Sequence, residues 1–235
     1  MKTLFRLALL TSLSLFLVIA GCKKDSDPNS LGGETNIPLT AIDSVSSVYM
    51  EMDGLQVPTA EIKVVSNVDG QITYHATVPM TGIADSLKTQ LASVIPAMIN
   101  YYHPQNLSVQ IAPNGDIQAD FSIKITSEGI QHSFIEGKPC IVVKYADGVG
   151  ASYSVTMSNG KKVTSTVTEK TDQNDWPYGF YYIKTSKVET VVPDDDPVIQ
   201  SLTYRANHKF GLVFIEVKTK NGKTIRVDLF PWFLL

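Results

Sequence analysis

Between residues 107 and 126 the chain reads LSVQIAPNGDIQADFSIKIT. Leu107, Val109 and Ile111 alternate with polar residues before an Asn-Gly pair, and Ile117, Ala119, Phe121, Ile123 and Ile125 alternate after it. A period of two marks a strand with one buried and one wet face. Asn-Gly or Asp-Gly between two such runs is a hairpin signal. The pattern recurs in 61–78 around Asp69-Gly70, in 153–167 around Asn159-Gly160 and in 212–229 around Asn221-Gly222. Directly paired residues share a sheet face, so the apolar pattern also sets the register. In 212–229 a two-residue loop would set Val217 against Arg226. A three-residue loop pairs Val217 with Ile225, Ile215 with Val227 and Val213 with Leu229. The same loop length pairs Ile111 with Ile117, Val155 with Val163 and Val64 with Tyr74, and places glycine where a type I turn with a G1 bulge needs a left-handed backbone. Further strands are expected at 130–136, 139–145, 180–192 and 202–208.

One stretch follows a different period. In 81–104 apolar residues fall at Ile83, Leu87, Leu91, Val94, Ile95, Met98, Ile99 and Tyr102, the stripe of a helix with one buried face. Thr81 is placed to cap it, Pro104 to stop it, and Pro96 to kink it near Ala92. Lys88 is the only basic residue in the stretch, which favours packing on a sheet over lying on a membrane. The expected fold class is α+β dominated by antiparallel β-sheet, in meandering hairpins that a sandwich-like arrangement would accommodate, with one amphipathic helix packed on the sheet.

The first forty residues have no such periods. Lys2 and Arg6 precede an apolar run from Leu7 to Ala20 that ends in Gly21-Cys22 and gives way to Lys23-Lys24-Asp25-Ser26-Asp27. The apolar run is too short to span a bilayer and has the layout of a secretory signal peptide. Small residues ending in Gly-Cys resemble the bacterial lipobox, with Ile19 where leucine is usual, and the polar leader that follows resembles those of Bacteroidetes lipoproteins. That resemblance implies cleavage before Cys22, acylation of Cys22 (palmitate among the chains), and anchoring at the outer membrane, facing outward or toward the periplasm. It divides the chain into a leader at 1–21, a lipidated cysteine and flexible tether at 22–40, and a β-rich globular region at 41–235, as one domain or two small ones. The closing FPWFLL is too short to span a membrane.

Formal charge is −3 for the whole chain, and the leader takes two cations with it, which argues against nucleic acid as a partner. Past Cys22 only Cys140 remains, in the apolar run KPCIVVKY, and it reads as an inert buried thiol. His75, His103, His132 and His208 are far apart and none has a second ligand at metal spacing, so no metal and no cofactor is expected. His132 alternates with Ile130 and Phe134 as a sheet-face residue. Asp194-Asp195-Asp196 reads as a solvated turn. The residues that stand out are Trp176, Tyr178, Phe180 and Tyr181, next to Tyr182 and among Asp172, Asn174 and Asp175. Flat aromatic faces beside polar groups suit sugars and protein interfaces, although alternating aromatics also fill cores. The function expected is a non-enzymatic binding module for a glycan or a surface protein. The alternatives are a structural or accessory subunit of a fimbria-like surface assembly, or a hydrolase whose carboxylate pair, from such residues as Asp120, Glu128 and Glu136, is formed only by the fold.

Cys22→Ala should move the protein from the membrane to the soluble fraction and abolish palmitate labelling. Continued sedimentation with membranes and retained label would place the anchor elsewhere.

Overall fold

In the computed structural model, residues 30–231 are described; the leader, Cys22, the first part of the tether and the last four residues lie outside them. The alternating segments form β1 (Val45–Met52), β2 (Leu55–Val68), β3 (Gln71–Val78), β4 (Leu107–Ile111), β5 (Ile117–Thr126), β6 (Gly129–Ile135), β7 (Lys138–Lys144), β8 (Ser152–Thr156), β9 (Lys162–Lys170), β10 (Trp176–Tyr178), β11 (Tyr181–Ile183), β12 (Ser186–Val191), β13 (Ile199–Asn207), β14 (Gly211–Thr219) and β15 (Thr224–Pro231). The one α-helix, α1, spans Asp85–Tyr102. Every pairing is antiparallel.

Thirteen strands form one sheet in the order β7-β6-β5-β3-β2-β1-β15-β14-β13-β12-β9-β8, with β4 also on β5, and β10 and β11 form a separate hairpin. The sheet curls until its edges, β7 and β8, lie side by side. Tyr153 Oη accepts the Lys144 N–H at 3.2 Å and Lys138 Nζ donates to the Thr156 carbonyl at 2.7 Å. The result is a nearly closed barrel, where a sandwich-like arrangement was expected. A sandwich needs two separate sheets packed face to face, whereas here thirteen strands belong to a single sheet.

Three expected registers are present: Val217 opposite Ile225, Ile111 opposite Ile117 and Val155 opposite Val163. Their third loop residues, Gly222, Gly115 and Gly160, all have positive φ. The fourth hairpin differs. Val68 pairs with Gln71, so Asp69 and Gly70 form a two-residue loop with φ of 51° and 78°, a primed turn. A bulge at Val65 then restores Val64 opposite Tyr74. The expected strand at 180–192 is interrupted between β11 and β12.

Because all connections alternate between two ends, the barrel has a helix end and a lid end. Helix α1, about 27 Å long at 1.5 Å per residue, crosses the first. Leu91 packs with Met52, Val57 and Ile117, and Met98 and Tyr102 pack with Ile135, Val155 and Ile199. Ala84, not Thr81, precedes the helix, without a side-chain cap, and His103 ends it in a left-handed conformation whose N–H returns to the Ile99 carbonyl. Pro96 lies within it and cannot donate to the Ala92 carbonyl.

The acidic turn holds this end together. Asp196 is buried and accepts the Val198 and Ile199 N–H groups at 2.8 and 2.6 Å, together with the Tyr102 hydroxyl. Asp195 accepts from Lys161 and, at 3.1 Å, from the Tyr101 hydroxyl. Asp194 and Asp195 are exposed, as the solvated turn expected from the sequence requires, whereas Asp196 is buried, drawn in by Tyr102 at the helix C-terminus.

Asp196→Ala leaves two amides and a hydroxyl with no acceptor in a buried site, and should lower stability by roughly 3 kcal/mol. Asp194→Ala should stay within about 0.5 kcal/mol of wild type. Urea denaturation of both variants checks the contrast.

Candidate functional site: the barrel interior

The inward faces of the strands do not meet at the barrel centre. They enclose a cavity of about 340 Å³ that runs from Val78 and Met50 toward the helix end up to Ile37, Leu39, Tyr178 and Phe210 at the lid end. A smaller chamber of about 130 Å³ lies beside it, above Met98 and Tyr102 and behind the β7–β8 seam. His132, Phe134 and Tyr204 line both. No aspartate, glutamate, lysine or arginine lines either chamber.

The alternation of β5 and β6 builds the aromatic wall. Phe121, on β5, stacks on Tyr74 of β3 with ring centroids 5.4 Å apart and meets Phe134 edge-on at 6.3 Å. Phe134 stacks on His132 at 4.9 Å. Opposite, the wall is aliphatic, with Ile215, Val227 and Leu229. Ala60 and Ala76 contribute only methyl groups, which leaves room that larger side chains would fill.

His132 supplies the polar feature of this interior. The β6–β7 ladder breaks between His132 and Ile135, and His132 Nδ1 accepts the Phe134 N–H freed there, at 3.1 Å. With Nδ1 accepting, the neutral ring carries its proton at Nε2. Burial holds the imidazole down to about 4, well below the usual range. Burial also raises the Tyr204 and Tyr74 hydroxyls, so both remain neutral donors at any physiological pH. Next to His132 across the strands, Cys140 donates to the Lys138 carbonyl at 3.2 Å, and its thiol is pushed up to about 12 by burial.

The lid end is covered by two pieces of chain. Residues 31–40, read from sequence as the end of the tether, lie on the barrel. Leu31 and Thr40 are buried, Glu34 N–H donates to Ser127 Oγ at 2.9 Å, and Asn67 Nδ2 donates to the Thr40 carbonyl at 2.9 Å. The second piece is the β10–β11 hairpin, which contains the aromatic segment singled out in the sequence. It straddles the barrel rim. Trp176 lies outside, with the Arg205 guanidinium 4.0 Å above its ring and Phe214 at 5.5 Å. Arg205 is itself held by Glu169, through two bonds of 3.2 Å, and by Thr185. Tyr178 turns inward, buried, onto Phe210 at 5.0 Å, and lines the cavity. Tyr181 packs with both Tyr178 and Phe210. Phe180 and Tyr182 point away from all of these, 83% and 60% exposed. The segment is therefore divided: Trp176, Tyr178 and Tyr181 are packing residues of the lid, and Phe180 with Tyr182 forms an exposed tip.

The carboxylates considered for hydrolysis do not converge. Asp120 sits on the outer face of the sheet, 2.8 Å from His75. Glu128 and Glu136 lie beyond opposite ends of the seven-residue β6, roughly 26 Å apart along an extended strand. Glu136 is a turn residue, held down to about 2 by Lys138 and by the Ser158 hydroxyl and N–H. Among the described residues no cluster of three histidine, cysteine or acidic side chains could hold a metal ion, and no helix is long and apolar enough to cross a membrane.

No family model matches the chain, and neither does any curated protein. Solved structures that resemble it remotely include two from the Bacteroides and Parabacteroides genera. One is a candidate exported protein with a YmcC-like fold from Bacteroides fragilis, with a TM-score of 0.41, 7% identity, and cover of 81% of this chain and 95% of that one. The other is a candidate lipoprotein from Parabacteroides distasonis, with a TM-score of 0.38, 11% identity, and cover of 85% and 98%.

The depressed His132 value has a thermodynamic consequence. The unfolded chain takes up a proton near pH 6.5 and the folded chain only near 4, so this contribution to stability is full above about pH 6.5 and is lost as the pH falls toward 4. At pH 5 the loss is about 2 kcal/mol. His132→Asn, which keeps an acceptor for Phe134 N–H, should flatten stability between pH 7 and 5, as followed by urea midpoints. An unchanged slope would locate the titrating group elsewhere.

Proposed function

We propose that the protein is a membrane-tethered envelope lipoprotein whose barrel holds a long apolar chain, such as a lipid acyl chain, without chemical turnover. The interior cavity carries this reading. Its volume is in the range of small-molecule sites, its wall is apolar and uncharged, and the few polar groups that line it, His132 and Tyr204 among them, are neutral donors suited to a carbonyl or hydroxyl at one end of a ligand. A charged headgroup would find no counter-ion inside and would have to stay outside the barrel.

Capture of a glycan or a protein through 172–182 has less support, because a stacked sugar needs free ring faces. Trp176 has Arg205 over one face and Phe214 beside it, and Tyr178 is buried on Phe210. That leaves Phe180 and Tyr182 as contact residues. A fimbria-like subunit would offer a long free edge strand. Here the two edges of the main sheet order face one another, and β4, paired only with β5, is five residues long.

Filling the cavity tests the proposal. A fluorescent polyene fatty acid, supplied from solution, should bind wild-type protein stoichiometrically. Ala60→Phe with Ala76→Phe should weaken that binding at least tenfold while the fold is retained by circular dichroism. Equal binding by both proteins would remove the cavity from the reading.

A further inference from the structure

We infer that the lid end of the barrel lies against a lipid bilayer, and that the β10–β11 hairpin is the gate through which an acyl chain enters from it. This rests on the reading of the cavity as a lipid site. The first observation is the hairpin tip. Tyr178 pairs with Tyr181, so the loop is Gly179-Phe180, with Gly179 at φ 61°. Two-residue loops favour glycine and small polar residues. This one presents a phenylalanine that packs on nothing, followed by the exposed Tyr182. Fold stability does not explain an aromatic pair there. Aromatic rings, tyrosine above all, are at home at the headgroup level of a membrane.

The second observation is the company the tip keeps. Ile42 before β1, Val68 at the β2–β3 turn and Val149 in the β7–β8 loop are also exposed, at 59%, 65% and 64%. With Phe180 and Tyr182 they come from four separate connections, all at the lid end. Exposed aliphatic residues also occur near the helix end, at Leu55, Ile111 and Val191, but without an aromatic and with α1 across the opening.

The third is chain length. Leu31, the first buried residue, belongs to the lid end, and Cys22 precedes it by nine residues, a reach of at most about 30 Å. A lipid on Cys22 keeps this end of the barrel near the membrane surface. The hairpin is suited to move, since a three-pair, two-stranded ribbon is marginal by itself. What closes it over the cavity is the packing of Tyr178 and Tyr181 on Phe210 and of Trp176 against Phe214, which opening would break.

The test uses the chain from residue 22 to 235 with Cys22→Ala, so that neither the leader nor a covalent lipid masks the contact, and vesicles of phosphatidylcholine alone. The protein should co-sediment with vesicles and take up the polyene fatty acid both from solution and from loaded vesicles. Phe180→Ser with Tyr182→Ser should reduce co-sedimentation and the rate of uptake from vesicles at least tenfold, and leave uptake from solution unchanged. Leu55→Ser with Ile111→Ser, at the helix end, should change none of these. A tip variant that behaves as wild type, or a helix-end variant that loses as much, overturns the membrane-facing gate while the cavity reading stands. Failure of the unsubstituted protein to take up the fatty acid from solution overturns the cavity reading, and the gate with it.

Discussion

The fold depends on how the edges of its large sheet meet. Strands β7 and β8 are consecutive in the chain and adjacent in space, yet they do not pair. An unpaired edge is a row of open donors and acceptors, and proteins cover it or occupy it. Here side chains do so: Tyr153 bridges the Lys144 amide and Asp147, Lys138 reaches the Thr156 carbonyl, and Glu136 caps Ser158. A barrel joined in this way has a circumference that no continuous backbone ladder fixes. Its inner face can be wider than its side chains can fill, and the smaller chamber lies just behind the seam. Both ends must then be covered by chain that is not part of the wall, which is the role of α1 at one end and of residues 31–40 with the β10–β11 hairpin at the other.

Some of the polar groups buried or half-buried in this barrel stand where regular structure fails. Asp196 supplies acceptors for amides at the start of β13, His132 for an amide at the β6 bulge, and Asn67 ties the lid segment to the β2–β3 turn. Asp196 and His132 each remove an orphan donor that would otherwise cost about 1–3 kcal/mol, and Asn67 satisfies the Thr40 carbonyl. Because these needs are met at ends and bulges, the middle of the barrel is left to carbon. Recognition of an apolar chain and rejection of a charged one are thus consequences of how the ladder is repaired.

Much of this architecture was legible in the sequence, and the exceptions have physical causes. The three Asn-Gly hairpins were readable to the residue because turn chemistry and apolar alternation are both local. In 61–78 the same apolar pairing, Val64 with Tyr74, arises from a shorter loop and a compensating bulge, two changes of one residue that cancel in parity. Strand β1 and the first part of β2, with Ser46, Ser47 and Pro58 in them, lack clean alternation and went unread. In the sequence Asp196 reads as solvated, because its burial is decided by Tyr102, 94 positions away. The cavity left no local signal. His132 was recognisable as a sheet-face residue, but that its face looks onto empty space depends on the closure of the whole sheet. Likewise the aromatic segment announced itself, but only the rim geometry separates Tyr178, inside, from Phe180, outside.

An empty cavity of this size is hard to reconcile with a protein of ordinary stability. At about 24 cal/mol per Å³, a sealed and dry void of 340 Å³ would forgo up to about 8 kcal/mol, as much as the whole net stability of a typical domain. Water is a poor occupant, since a resident molecule needs two to four polar partners and this wall offers few. The economical alternative for a merely structural barrel is simple: Ala60 and Ala76 lie on the wall, and a leucine at either would reclaim part of the space. A chain that instead surrounds the void with stacked rings, keeps charge out of it, and covers it with a small separate hairpin has the form of a container. The occupant that such a wall stabilises best is a hydrocarbon chain, which forms many dispersion contacts and asks for almost no hydrogen bonds in return.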